Sequence, residues 1–235
     1  RRLLVLGFPF ETLRTDQRVG VMTKALDYLD VCSINTVITE PEDGHAYATS
    51  PAFRGTASGT DLTEVRLQLQ RWDGLYWTGS SWSAAGSWFA ANGTTSWDYT
   101  FTAMADGSYD LQAKAVAVGG EDTGPAEVSF VLDRVAPAVP TVITPTGGIT
   151  VTGPIVTLSW IVPVDDGSPV HYNLDIDDDI ASTYALSYAV TPSLGPGPHV
   201  WRIQAEDAAA NKSAWSDVQT FVVEVEQVFL PVVLR

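Results

Sequence analysis

One cysteine, Cys32, occurs in 235 residues, so no disulfide can form within the chain. Small extracellular β-domains of higher organisms are usually bridged, and an unbridged one fits a secreted bacterial protein held by aromatic packing. Basic residues are scarce: 13 Lys and Arg stand against 28 Asp and Glu, for a formal charge of -15. Five of the basic and four of the acidic side chains fall in the first thirty residues, which leaves eight against 24 in residues 31–235. That acidic body repels phosphates and anionic lipid surfaces, and no basic stripe offsets it, which excludes nucleic acid as a partner. No apolar run nears the roughly 20 residues that span a bilayer, so no transmembrane segment is predicted. The three histidines, His45, His171 and His199, sit in unrelated stretches. Neither a Gly-x-Ser-x-Gly elbow, a His-Glu-x-x-His helix nor a phosphate loop is found, and Cys32 has no base beside it. No catalytic residue is predicted, and the chain is not expected to be an enzyme.

What is present is core-forming material: 45% of residues are hydrophobic, with eight each of Trp, Tyr and Phe. That composition excludes disorder, and the length suits two small domains. Asp-Gly-Ser-Tyr-Asp-Leu-Gln-Ala-Lys-Ala (106–115) returns in altered form as Pro-Gly-Pro-His-Val-Trp-Arg-Ile-Gln-Ala (196–205). Each copy opens on a Gly turn and then alternates. Tyr109, Leu111, Ala113 and Ala115 share one face of the first, and His199, Trp201, Ile203 and Ala205 one face of the second. Each is followed by a loop and a strand carrying Phe (Val128–Leu132 and Gln219–Val223). A hairpin repeated at a spacing of 90 residues predicts two tandem β-sandwiches of about 100 residues each.

Four segments follow from this reading. Residues 1–32 form a strand-helix segment: Leu3-Leu4-Val5-Leu6-Gly7-Phe8 is a continuous apolar run, and Val19, Met22, Ala25, Leu26 and Leu29 then recur at helical spacing. Residues 33–135 form the first sandwich, opening on an edge strand stopped by Pro41. Residues 136–226 form the second, after a Pro-stiffened linker around Pro137 and Pro140. Residues 227–235 form an apolar tail. The chain begins at Arg1 rather than Met, and is expected to be part of a longer precursor.

Leu-Gly-Phe-Pro-Phe-Glu-Thr-Leu (6–13) with Ala-Leu-Asp-Tyr-Leu (25–29) resembles the closing strand and helix of a glutamine-amidotransferase-like α/β domain, whose reactive regions lie outside this chain. In 33–135, the stretches Pro51 to Ala57 (P-x-F-x-G-T-A), Val65 to Gln70 (V-x-L-x-L-Q), Trp77 to Trp82 (W-x-G-x-x-W), Trp97 to Phe101 (W-x-Y-x-F) and 106–115 resemble bacterial Ig-like domains of secreted and surface proteins. In the second sandwich, Val156–Trp160, Tyr172–Asp177, Trp201–Asp207 and Ser213–Ser216 resemble a fibronectin type III domain. Ala210 stands where that family usually has Gly, which is expected to alter its turn. Val228–Arg235 resembles short C-terminal tails of exported bacterial proteins.

Three groups of side chains are candidates for binding. Trp72, Tyr76, Trp77, Trp82 and Trp88 are the candidate carbohydrate-contacting rings, since sugars stack on exposed aromatic faces; the competing reading is core and loop packing. Asp175, Asp177, Asp178 and Asp179, near Asp165 and Asp166, are the one candidate metal cluster, for calcium. Against that, Asp175 and Asp177 alternate along a predicted strand, as a solvated acidic edge would. Asp207 and Asn211 are read as bracing their own loop. No other cofactor is indicated. The assembly candidates are Leu3, Leu4, Val5 and Leu6 at one end and Phe229, Leu230, Val232 and Val233 at the other, since an unpaired apolar strand can complete another molecule's sheet. Lys114 is expected to point outward.

The function expected is a non-catalytic structural or interaction module of a secreted or cell-surface bacterial protein, able to serve as a filament subunit through strand exchange. Its partners would be proteins, including copies of itself, with carbohydrate as a further ligand. The alternative is an accessory, carbohydrate-binding region of a large secreted hydrolase. Either places the chain outside the cell.

Overall fold

The computed structural model describes residues 34–101, 104–153, 155–163, 170–190 and 194–224. The predicted strand and helix of residues 3–30, Cys32 and the apolar tail lie outside these residues. Among the described residues every regular element is a β-strand. The chain divides into two compact units between Asp133 and Arg134.

In unit 1 the strands are β1 (Asn35–Glu40), β2 (His45–Tyr47), β3 (Phe53–Ser58), β4 (Leu62–Arg71), β5 (Tyr76–Trp77) and β6 (Trp82–Ser83). They continue with β7 (Phe89–Ala90), β8 (Asn92–Gly93), β9 (Ser96–Tyr99), β10 (Gly107–Ala117), β11 (Gly120–Glu121) and β12 (Ala126–Leu132). One sheet runs β1-β3-β9-β8. The other runs β2-β12-β10-β4-β5-β6, with β7 beside β4 and β11 beside β10. Pro41 ends β1, and after its cis bond with Glu40 the chain enters the second sheet, where β2 pairs parallel with β12, His45 opposite Phe130. That parallel addition is too short to announce itself in the sequence.

The alternation of β10 follows from its two environments. Tyr109, Leu111, Ala113, Ala115 and Ala117 are buried while the residues between them are not. Register sets Leu111 opposite Leu69, Ala113 opposite Leu67 and Ala115 opposite Val65, so slipping by one residue would turn every apolar chain outward. Phe53, Ala57 and Trp97 meet them from the facing sheet. Each buried Leu or Phe stabilises the fold by about 1.5–3 kcal/mol relative to exposure. A backbone-to-side-chain bond crosses the layers: Ala115 N–H donates to Thr36 Oγ1 at 2.8 Å, which pairs a polar group that burial would otherwise penalise.

Unit 2 comprises β13 (Thr141–Thr144), β14 (Ile149–Thr152), β15 (Thr157–Ile161), β16 (His171–Ile176), β17 (Asp179–Thr183), β18 (Ser187–Ala189), β19 (Gly197–Glu206) and β20 (Gln219–Glu224). Its sheets run β13-β15-β18 and β14-β20-β19-β16-β17. The plan repeats that of unit 1, including a cis bond, Thr144–Pro145, before a strand that pairs parallel with the last one. Leu158, Trp160, Tyr172, Leu174, Trp201, Ile203 and Phe221 fill the core. Buried Trp201 satisfies its indole N–H by donating to the Pro145 carbonyl at 2.9 Å. The turn around Ala210 survives the missing glycine, with Ala210 itself left-handed at φ 64°. Asp207 holds it by accepting from Ala209 N–H, Asn211 N–H and Asn211 Nδ2 at 2.8–2.9 Å.

Candidate functional site

The aromatic candidates are placed by the end of β4 and the two short strands after it. Trp72 follows β4 and donates its backbone N–H to the Ser108 carbonyl at 3.0 Å, which brings its indole over Gly107. It meets Tyr109 edge-on at 5.8 Å and remains 51% exposed. Trp77 and Trp82 face each other across the β5–β6 hairpin at 5.4 Å. Trp77 also packs on Phe101 at 4.6 Å and donates its Nε1–H to the Tyr99 hydroxyl at 3.2 Å. The Arg71 guanidinium sits 5.4 Å from the Trp72 ring and 4.7 Å from that of Trp82, joining the two by cation–π contact. Asp73 anchors Arg71 at 2.7 Å, and that hydrogen bond holds the Asp73 carboxyl below its ordinary range. Tyr76 is partly buried, paired across to Gln70 and to Ser83.

Trp88 stands apart. Its ring covers the Lys114 ammonium at 4.4 Å, and Lys114 pairs with Glu121 at 2.9 Å. Lys114 does leave the core face of β10, but it is roofed rather than solvated. The five rings therefore do not make one platform. Trp77 and Trp82 are packed into unit 1, Tyr76 and Trp88 are half-covered, and Trp72 is the most exposed of the five, about half of it open.

The acidic candidates are dispersed rather than gathered. Asp175 lies on the outer face of β16 and pairs with Arg202 at 2.7 Å. Asp177 does not continue that strand face, contrary to the alternation expected of it. β16 ends at Ile176, and Asp177 and Asp178, with φ of 51° and 72°, form the two-residue turn into β17. The turn swings Asp177 back onto β19, where Oδ1 accepts from Val200 N–H at 2.9 Å and Oδ2 meets His199 Nδ1 at 2.6 Å. Asp178 and Asp179 are exposed, and Asp165 and Asp166 lie outside the described residues. Among the described residues no three His, Cys, Asp or Glu side chains converge as metal ligands. The assembly candidates Leu3, Leu4, Val5, Leu6, Phe229, Leu230, Val232 and Val233 also lie outside the described residues.

Sequence reasoning passed over two polar clusters. Glu206 accepts from Asn173 Nδ2 at 2.9 Å and also meets Lys212 at 3.4 Å. The Asn173 bond first, then Lys212, hold its carboxyl below the ordinary range. His199 is hydrogen-bonded at both ring nitrogens. The aligned repeat could have flagged it, since it puts His199 at the position of Tyr109.

Among solved structures, the fibronectin(III)-like modules of Clostridium thermocellum CbhA match with a TM-score of 0.50 at 14% identity, over 84% of this chain and 98% of theirs. The FN1–FN3 domains of chicken CNTN1 match at 0.43 and 11%, over 77% of this chain and 66% of that one. Domains from titin match at 0.47 and 16%, over 81% and 66%. No protein-family model and no curated protein sequence matches. The likeness to the CbhA modules is one of fold. The fold is all-β, two tandem immunoglobulin-like, fibronectin III-like sandwiches. Tyr109 carries a mark of such sandwiches, its hydroxyl donating to the Ala105 carbonyl four residues back at 2.7 Å near the start of β10. No helix among the described residues is long and apolar enough to cross a membrane.

Proposed function

We propose that this chain is a non-catalytic spacing and assembly module of a secreted or surface-exposed bacterial protein, joined to further copies by strand exchange through its apolar ends. The observation that carries the reading is the open edge of unit 2. β17 pairs only with β16, and β18 only with β15, among the described residues. Ile180 on β17 is 66% exposed, and Tyr184 and Leu186, between the two strands, are 76% and 44% exposed. An edge strand with apolar side chains and, among the described residues, no second partner suits an added strand, since the backbone supplies affinity and alternate side chains supply register. Leu3–Phe8 and Val228–Leu234 have the apolar composition such a strand needs.

The alternative, an accessory carbohydrate-binding region of a secreted hydrolase, has the half-open ring of Trp72 in its favour. The other four rings are engaged within unit 1, which weakens it. Light scattering of the full chain across a concentration series tests assembly. Association is expected that both Ile180→Lys and removal of 225–235 reduce. A chain that stays monomeric at its highest soluble concentration, or assembly untouched by both changes, refutes the reading.

A further inference from the structure

The two units close the same corner differently. In unit 1 the third residue of β10, Tyr109, reaches back four residues to the Ala105 carbonyl. In unit 2 the third residue of β19 is His199, and its Nε2 reaches the Gly195 carbonyl, also four residues back, at 2.8 Å. The imidazole makes a second contact that the phenol of unit 1 has no counterpart for: Nδ1 lies 2.6 Å from Asp177 Oδ2. The ring is largely covered, its side chain 13% exposed, and Phe221 of β20 packs 5.5 Å away.

Both partners are acceptors. A carbonyl and a carboxylate bring no proton, and a neutral imidazole carries one N–H, so neither tautomer can donate to both. The two short contacts coexist only when both ring nitrogens are protonated. We infer that His199 is a proton-operated latch, tying the loop before β19 to the β16–β17 turn when charged and releasing one of the two when neutral. The tie that opens is the one to Gly195. The bond to Asp177 joins a donor to a full carboxylate charge and keeps the remaining proton.

Among the described residues the charged group facing His199 is Asp177, from the β16–β17 turn; β20 offers the Phe221 ring and the preceding loop the Gly195 carbonyl. Burial, the largest single influence, works against the charge. The bond to Asp177, the bond to Gly195 and the Asp177 charge together outweigh it and raise the imidazole above its ordinary value. A pKa raised on folding stabilises the protonated fold below the unfolded value of about 6.5, and that contribution is lost as pH rises through the folded value. The contribution of His199 to unit 2 is therefore full under mildly acidic conditions and fades toward alkaline ones, the reverse of what a buried carboxylate contributes.

Imidazole NMR on the full chain with Cys32 kept reduced, titrated between about pH 6 and pH 9 where carboxylates are silent, tests the latch. The His199 resonances are identified by their loss in His199→Tyr. His199 is expected to titrate above 6.5, with both ring nitrogens protonated at the acidic end. Asp177→Asn should lower that midpoint. The unfolding equilibrium of unit 2, read by hydrogen exchange at β19 amides, should weaken about tenfold for each unit by which the pKa is raised. His199→Tyr, which copies the unit 1 tie, should flatten that dependence. Titration at or below 6.5, a single protonated ring nitrogen at pH 6, or a pH dependence that His199→Tyr leaves intact would overturn the inference. Should the tyrosine variant not fold, carbon shifts set by Asp177→Asn assign the resonance, and the wild-type midpoint decides the matter.

Discussion

Unit 1 and unit 2 share one strand plan, down to the X-Pro bond before a parallel-paired strand, yet they treat their surfaces differently. Among the described residues, unit 1 leaves four large apolar side chains exposed: Val37, Trp72, Val118 and Val131. Unit 2 and its leading segment leave twelve, from Val135 to Val218. Unit 1 invests its aromatics in its own end, where Trp77, Trp82, Phe101 and Tyr109 pack on one another. Unit 2 builds a smaller aromatic core and closes its corner with a titratable ring. Shared topology thus constrains the core faces and leaves the outer faces free to diverge.

The sharpest way to break the comparison is to empty one core. Trp201 is fully buried, 6.4 Å from Trp160. Trp201→Ala should cost unit 2 about 3–5 kcal/mol and also deprive the Pro145 carbonyl of its donor. Denaturant unfolding followed by NMR should then separate into two transitions, with unit 1 unmoved. An equal fall in both would show that the units unfold as one body and that treating them separately is wrong.

A smaller effect sharpens the comparison at the two hairpin glycines. Gly107 and Gly197 have nearly the same backbone, φ 137° and 134°, so alanine strains both alike. Around Gly197 an added Cβ meets nothing within 4 Å, whereas at Gly107 it would fall 2.3 Å from Trp72 Cε3. Gly197→Ala should therefore cost the backbone penalty alone, about 1–3 kcal/mol, and Gly107→Ala roughly 1–3 kcal/mol more as Trp72 is displaced. In a Trp72→Ala background the excess should vanish. If it persists, Trp72 is not what distinguishes the two corners.

The sandwiches were legible because period-two alternation is a consequence of having one wet and one dry face, and β4, β10, β16 and β19 are long enough to display it. The short parallel strands β2 and β14 were not, since three or four residues carry no period and their partners lie far along the chain. Asp177 misled because polar alternation reads on through a turn: nothing in Asp-Asp-Asp announces that two of them take positive φ. The tryptophans around Gly79 could be read as loop or as core, and what decided between them was contact with one another, which spacing does not encode. Lys114 fell on the expected side of its strand. That a ring and a carboxylate would roof it depends on Trp88 and Glu121 arriving from elsewhere.

The smallest effect separates the two corners by chemistry rather than size. Tyr109→Phe keeps the ring stacked on Phe130 at 5.5 Å and removes only the hydroxyl that serves the Ala105 carbonyl. A neutral hydrogen bond of this kind is worth about 1 kcal/mol net, so unit 1 should lose about that much. A hydroxyl carries its own donor whatever the state of nearby groups, so the loss should be the same at pH 6 and pH 8. Urea midpoints of unit 1 at both values check this. A loss that changes with pH would mean that the tyrosine corner is coupled to a titrating neighbour, and the contrast with His199 would then reflect surroundings rather than the two side chains themselves.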